Sequence, residues 1–156
     1  MLKFINTEIV FQEIPDETTL AINISNCPCH CPDCHSQFLW EDTGTELTTG
    51  IIDKFMETYG NGITCLCFMG GDAEPEGVDT LAKYIKGKYP EVKTGWYSGR
   101  TVIQGVDKSN FDYIKIGPYI KHLGPLNAYT TNQRLYKIEG EKMVDITYKF
   151  WRNSRL

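Results

Sequence analysis

Two amphipathic helices set between short apolar runs restrict this chain more than any other feature. In Thr49–Tyr59, the residues Ile51, Ile52, Phe55, Met56 and Tyr59 fall on one stripe. Thr48 or Thr49 is placed to cap its start and Gly60 to end it. In Gly77–Lys88, Val78, Leu81, Ala82 and Ile85 share a face with Tyr89, and Pro90 stops the helix. Thr19–Ile24, Ile63–Phe68, Val92–Tyr97 and Tyr113–Ile116 read as strands. Strands alternating with helices predict a parallel sheet with crossover helices, an α/β fold whose chemistry sits at the carboxyl ends of the strands. Leu135–Ile138, a turn at Glu139-Gly140-Glu141 and Met143–Tyr148 read as a hairpin appended to that sheet. No internal repeat or long linker interrupts the pattern, so a single domain over residues 1–156 is expected.

A chain of 156 residues buries enough surface to fold without disulfides. Sixteen Lys and Arg against twenty Asp and Glu give a net charge of -4, which argues against a nucleic-acid footprint. Lys149, Arg152 and Arg155 read as a solvated basic end. No apolar run approaches the roughly 18 residues of a membrane span. Met1–Phe11 is a mixed, strand-like stretch without the basic and apolar regions of a secretory signal.

Four of the six cysteines, Cys27, Cys29, Cys31 and Cys34, crowd into eight residues directly after the first of the alternating strands. Without a secretory signal, such crowding points to metal or redox chemistry rather than disulfides. A zinc knot is one reading, but zinc sites pair two separated knuckles, and no matched second knuckle follows here. Incidental cysteines are another. The third is an iron–sulfur cluster: Cys27-x3-Cys31-x2-Cys34 supplies three thiolates from one compact loop. A 4Fe–4S cube that only carries electrons takes four ligands, so three would leave one iron open to a substrate. Cys29, one residue from its neighbours, reads as a bystander. Cys65 and Cys67 read as small core residues or as walls of the site.

Cys27-Pro-Cys-His-Cys31-Pro-Asp-Cys34-His-Ser, with Leu39-Trp40 following, and Phe68-Met69-Gly70-Gly71-Asp72 resemble the radical S-adenosylmethionine superfamily. Trp96-Tyr97-Ser98-Gly99, Phe111-Asp112-Tyr113-Ile114 to Gly117-Pro118-Tyr119, and Thr131-Asn132-Gln133-Arg134 bring the resemblance closer to the activating proteins of anaerobic (class III) ribonucleoside-triphosphate reductase. The likeness covers about residues 8 to 140. Two positions depart from the superfamily pattern: Asp33 stands where an aromatic residue usually precedes the third cysteine, and Asp72 where many members have Glu.

The resemblance implies an incomplete β/α barrel of the radical S-adenosylmethionine type, with the C-terminal hairpin appended. It implies that Cys27, Cys31 and Cys34 hold a 4Fe–4S cluster whose open iron takes the amino and carboxylate groups of S-adenosylmethionine. One electron then cleaves a carbon–sulfur bond to give methionine and a 5′-deoxyadenosyl radical, which takes a hydrogen atom from a glycine of the reductase. Asp33, Cys34 and His35 would line the nucleoside. Gly70 and Gly71 would allow close backbone approach, and Asp72 would accept a hydrogen bond from the ligand's ammonium. Ser98 would reach the ribose or carboxylate. Related activases have a lysine near the position of Lys115 that meets the ligand carboxylate, a role against which the register of this strand weighs, and Asn132, Gln133 and Arg134 would touch the partner, close the site or stabilise the turn before the hairpin. His30 and His122 read as surface residues. The implied partners are the large subunit of the reductase and a flavodoxin- or ferredoxin-type electron donor, in an anaerobic cytoplasm. A sheet of about four strands cannot close a barrel, and its open side would admit a glycine-bearing loop of a large protein. Activation of another glycyl-radical enzyme, radical chemistry on a small molecule, and a non-catalytic zinc or iron–sulfur module are the alternative readings.

Overall fold

Period-two alternation in the strands and 3.6-residue stripes in the helices settle which surfaces meet. In chain order the computed structural model, which describes residues 1–28 and 41–151, runs β1 (Lys3–Val10), β2 (Thr19–Ile24), β3 (Thr45–Glu46) and α1 (Thr49–Tyr59). It continues through β4 (Cys65–Met69), α2 (Pro75–Lys88), β5 (Lys93–Tyr97), β6 (Tyr113–Ile116), β7 (Arg134–Glu139) and β8 (Lys142–Asp145). All eight strands join one sheet in the order β3-β1-β2-β4-β5-β6-β7-β8. β2, β4, β5 and β6 pair in parallel. β1 and β3 extend one side antiparallel, and β7 and β8 the other.

This arrangement corrects the expected incomplete β/α barrel. The described residues form an open, mixed, eight-stranded sheet and two α-helices, both packed into one hydrophobic core with one face of the sheet. The connections explain the difference. The link 11–18 between β1 and β2 is too short for the crossover of a dozen or more residues that parallel strands need. The crossover from β5 to β6 carries only a 3-10 turn at Lys108–Asn110 in place of a helix. Antiparallel strands therefore bound the parallel run on both sides, and the β/α repeat of a barrel is not continued.

On the helical face, Leu20, Ile22, Leu66, Phe68, Trp96 and Ile114 pack with Ile52 of α1 and Val78, Leu81 and Ile85 of α2. On the opposite face, Ile14, Cys65, Cys67, Tyr113, Leu135 and Ile146 form a second, smaller core. Thr48 caps α1 by accepting from the Ile51 amide at 3.2 Å. α2 starts two residues before the expected Gly77, with Pro75 in its first turn, where a missing N–H costs nothing. Asp53 of α1 accepts from Tyr84 at 2.9 Å and Tyr89 at 2.6 Å, tying the helices together. The hydrogen bond from Tyr89 is the main cause that holds the Asp53 carboxyl below its ordinary range. β8 ends earlier than expected, because Asp145 accepts from both the amide and the hydroxyl of Thr147 and turns the chain into a 3-10 segment, Thr147–Phe150.

Gly70 and Gly71, directly after β4, have φ of +110° and +92°. A Cβ on Gly71 would lie 2.5 Å from Val78 Cγ2, and one on Gly70 3.2 Å from the Ile24 carbonyl oxygen. The space beside this turn is taken by the protein's own α2 and β2. Gly71→Ala combines a disfavoured backbone conformation with a steric clash, and urea denaturation is expected to show a loss of about 2 kcal/mol. A loss below about 0.5 kcal/mol would contradict that packing.

Candidate functional site at the carboxyl pole of the parallel strands

The cysteine segment leaves the sheet at the end of β2. Its base is pinned on both sides: the Ser25 amide donates to the Lys3 carbonyl at 2.9 Å, and the Ser25 hydroxyl to the Thr43 carbonyl at 2.5 Å. The Asn26 amide donates to the Glu41 carbonyl at 2.9 Å, joining the two ends of the segment. Asn26 has a left-handed φ of 59°, a conformation asparagine tolerates better than most residues. Cys27 follows it and is half-buried. Cys29, His30, Cys31, Asp33, Cys34 and His35 lie outside the described residues. A cavity of about 140 Å³ between the ends of β2 and β4 is walled by Ser25, Asn26, Gly71 and Glu74. A broader, shallow hollow lies on α2 along Thr80, Lys83, Tyr84, Gly87 and Lys88, toward the amino pole of the strands and away from this chemistry.

The ends of β4, β5 and β6 are clasped together. Asp72, 6% exposed, accepts from the Ser98 hydroxyl at 2.5 Å and from the Gly99 amide at 2.9 Å. A buried carboxylate needs such donors, and bonds to a charged group are roughly twice as strong as neutral ones. Ser98, 1% exposed, also accepts from the Arg100 amide at 3.1 Å, so its hydroxyl is engaged within the chain. The Trp96 indole donates to the Gly70 carbonyl at 2.8 Å, and the Gly70 amide to the Tyr97 carbonyl at 3.0 Å. Asp72 and Ser98 follow the ends of β4 and β5 and meet each other across the strand ends. Their separation of 26 residues hides that pairing from a sequence reading.

Lys115 carries a positive charge into the same pole. It is 8% exposed, and its ammonium donates to the carbonyls of Ser98 at 3.2 Å and Gly117 at 3.0 Å. It also lies 5.4 Å from the centre of the Tyr97 ring. Tyr97 donates its hydroxyl to the Glu13 carbonyl, and burial is the main cause that raises the phenol well above its ordinary range. The segment 131–134 closes over the end of β6: a Cβ on Gly117 would lie 3.1 Å from Gln133 Cα. Arg134 sits apart from this pocket, with Asp145 at 3.7 Å and the Trp151 ring at 5.8 Å. His122 belongs to a surface turn after β6.

Cys65 and Cys67 point into the core of the helix-free face, and both are fully buried. Burial, reinforced by the Glu17 carboxylate, pushes the Cys65 thiol up to about 12, and burial raises Cys67 well above its usual value. Thiols held protonated are poor metal ligands. Among the described residues no group of His, Cys, Asp and Glu is arranged to hold a metal ion. Four cysteines crowd the segment that begins at Cys27, and thiolates are the ligand type that suits iron–sulfur clusters.

The description "4Fe-4S single cluster domain" matches residues 18–119, from the start of β2 through the end of β6. The chain belongs to the 4Fe-4S single cluster domain family. In this member of the family the matched span holds all four parallel strands, the cysteine segment and the Asp72 clasp. Comparison with curated proteins and with solved structures gives no match. No helix among the described residues is long and apolar enough to cross a membrane.

Alkylation separates the two cysteine classes. At pH 8 a thiol with a pKa of about 12 is thiolate only about one part in ten thousand. Iodoacetamide is therefore expected to leave Cys65 and Cys67 unmodified in the folded protein and to label them in urea, read by peptide mass mapping. Labelling of either in the folded state at the unfolded rate would contradict their placement.

Proposed function

We propose that this chain is a radical S-adenosylmethionine activase that generates a glycyl radical on anaerobic (class III) ribonucleoside-triphosphate reductase. Cys27, Cys31 and Cys34 are the three ligands of its 4Fe–4S cluster. The observation that carries this reading is the position of the cysteine segment. It starts at the carboxyl end of the first parallel strand, beside Gly70-Gly71-Asp72 at the end of the next. Membership of a 4Fe–4S family supports the cluster, and the spacing of the three cysteines supports an iron left open. When bound, the cluster supplies the electron that cleaves S-adenosylmethionine, and a flavodoxin- or ferredoxin-type protein replaces it.

The chain's own groups then hold and shape the pole. The pinned base at Asn26 and Glu41 fixes where the cysteine segment leaves the sheet. Asp72, through Ser98 and Gly99, sets the distance between the turns that follow β4 and β5. Asp33 and His35 flank the third ligand, Cys34, in sequence, and by the resemblance this stretch would line the nucleoside. Lys115 holds a positive charge among the carbonyls at the end of β6, a counter-charge for a ligand carboxylate. The open sheet supports a protein as the final hydrogen donor, because its edges β3 and β8 do not meet to enclose a small substrate.

After anaerobic reconstitution, Cys27→Ala, Cys31→Ala and Cys34→Ala are each expected to lower 5′-deoxyadenosine formation by about a hundredfold or more, with Cys29→Ala within about threefold of the parent protein. Normal cleavage by any of the first three variants would overturn the ligand set. Mixing the parent protein with the reductase, S-adenosylmethionine and reductant is expected to give a glycyl-radical signal by electron paramagnetic resonance. Its absence, with 5′-deoxyadenosine still formed, would move the activity to another substrate.

A further inference from the structure

The loops that follow β5 and β6 at the carboxyl pole carry no acidic residue. No Asp or Glu occurs in 98–106 or in 113–138, although the chain has twenty. The two loops are joined at their roots: the Gly117 amide donates to the Arg100 carbonyl at 2.6 Å, and the Ser98 amide to the Lys115 carbonyl at 2.8 Å. The β5 loop stays at this pole as far as Gly105, whose Cβ would lie 2.7 Å from Pro75 Cγ at the start of α2. Arg100 and Lys121 are exposed on these loops, and neither is ion-paired among the described residues. Lys3, Lys86, Lys88 and Lys93, by contrast, each have a carboxylate within 3.3 Å. The other exposed cations outside ion pairs, Lys54, Lys83, Lys108 and Lys142, sit on the helices and at the amino pole. Lys115 adds a positive charge between the two loop roots, on the carbonyls of Ser98 and Gly117. Val102 and Tyr129, 54% and 50% exposed, supply apolar surface on the same loops.

The other half of the pole is acidic: Glu41, Asp42 and Glu46 are exposed beside β1 and β3. In a chain of net charge -4, most of the surface repels an acidic protein, and the β5–β6 half of this one pole attracts it. Exposed charges of this kind set encounter rate and orientation more than affinity. That suits the small, transient interfaces of electron carriers. Distance separates such a carrier from the protein that supplies the hydrogen atom. From β2, where the cysteine segment starts, to β5 is two strand spacings of about 4.8 Å, roughly 10 Å along the edge. An electron tunnels across such a gap, whereas a hydrogen atom passes only between groups in contact. A surface set to the side of the cysteine segment therefore serves electron delivery and leaves the segment itself to the substrate.

We propose that the acid-free loops after β5 and β6 dock an acidic one-electron carrier protein through Arg100 and Lys121. This rests on the reading of the chain as a cluster-bearing activase. In the docked pair one electron leaves the carrier and one enters the cluster, and no bond is made or broken. Arg100 and Lys121 orient the carrier and touch neither the cluster nor S-adenosylmethionine.

The double variant Arg100→Glu/Lys121→Glu tests the surface, with an acidic flavodoxin as the probe. Affinity of the reconstituted chain for oxidised flavodoxin, measured by microscale thermophoresis at low ionic strength, is expected to fall about tenfold or more in the variant. The parent's affinity is expected to fall as salt is raised, and the variant's to be nearly indifferent to salt. The rate of cluster reduction by fully reduced flavodoxin, read by stopped-flow absorbance, is expected to fall in step. 5′-Deoxyadenosine formation driven by photoreduced deazaflavin, a small reductant that needs no docking surface, is expected to stay within about twofold, and the melting temperature within about 3 °C. Unchanged flavodoxin affinity overturns the docking surface. So does an equal loss with both reductants, which would place the two residues in the site itself. A weakened affinity for the reductase with unchanged flavodoxin affinity also overturns it, by giving the surface to the substrate. If the parent binds flavodoxin but forms no 5′-deoxyadenosine with deazaflavin, the activase reading fails while the variant's affinity still decides the docking surface. If the parent does not bind flavodoxin yet forms 5′-deoxyadenosine with deazaflavin, the docking surface fails alone.

Discussion

Parallel hydrogen bonding between β2, β4, β5 and β6 is the constraint on which the rest of the molecule depends. Strands that run in one direction must deliver all their carboxyl ends to one edge, whatever lies between them in sequence. Asn26-Cys27, Gly70-Gly71-Asp72, Ser98-Gly99 and Lys115-Gly117 therefore converge, although they span 92 residues of chain. Two opposite charges, Asp72 and Lys115, are buried at this edge, and each is met by groups of the β5 loop. Left unmet, either would cost several kcal/mol. The loop after β5 thus serves as the common partner of both neighbouring strand ends.

Much of this frame is legible in the residues. α1 and β6 lie where periodicity puts them, because their apolar stripes are complete and their ends carry strong signals: the Thr48 cap, and a buried Tyr-Ile-Lys-Ile run. Cys65 and Cys67 alternate with Leu66 and Phe68, the signature of a strand buried on both faces, and both thiols lie in the core. The expected barrel failed for a reason periodicity cannot supply. Alternation of strand and helix describes the parallel run. It says nothing of β3, only two residues long, or of how many antiparallel strands flank the run. The Asp72–Ser98 clasp and the Lys115–Tyr97 contact were hidden because they join segments distant in sequence through a register that only the folded sheet defines.

The two glycines after β4 show how packing and function overlap at such a pole. A sequence reading gives them to a ligand's approach; the structure gives the space beside them to Val78 and Ile24. Both uses need the same tight, left-handed turn, and it is the turn that delivers Asp72 to Ser98. Antiparallel strands extend the open sheet at both ends, and its edge strands β3 and β8 do not pair with each other.

The central claim of the proposed activity is a 4Fe–4S cluster with one iron open to S-adenosylmethionine. Electron paramagnetic resonance of the reduced, reconstituted protein, recorded with and without S-adenosylmethionine, tests it most directly. Ligation at an open iron predicts a clear change in the g-values of the cluster when S-adenosylmethionine is added. Identical spectra from a protein carrying a full complement of iron would contradict it and leave a cluster that only carries electrons.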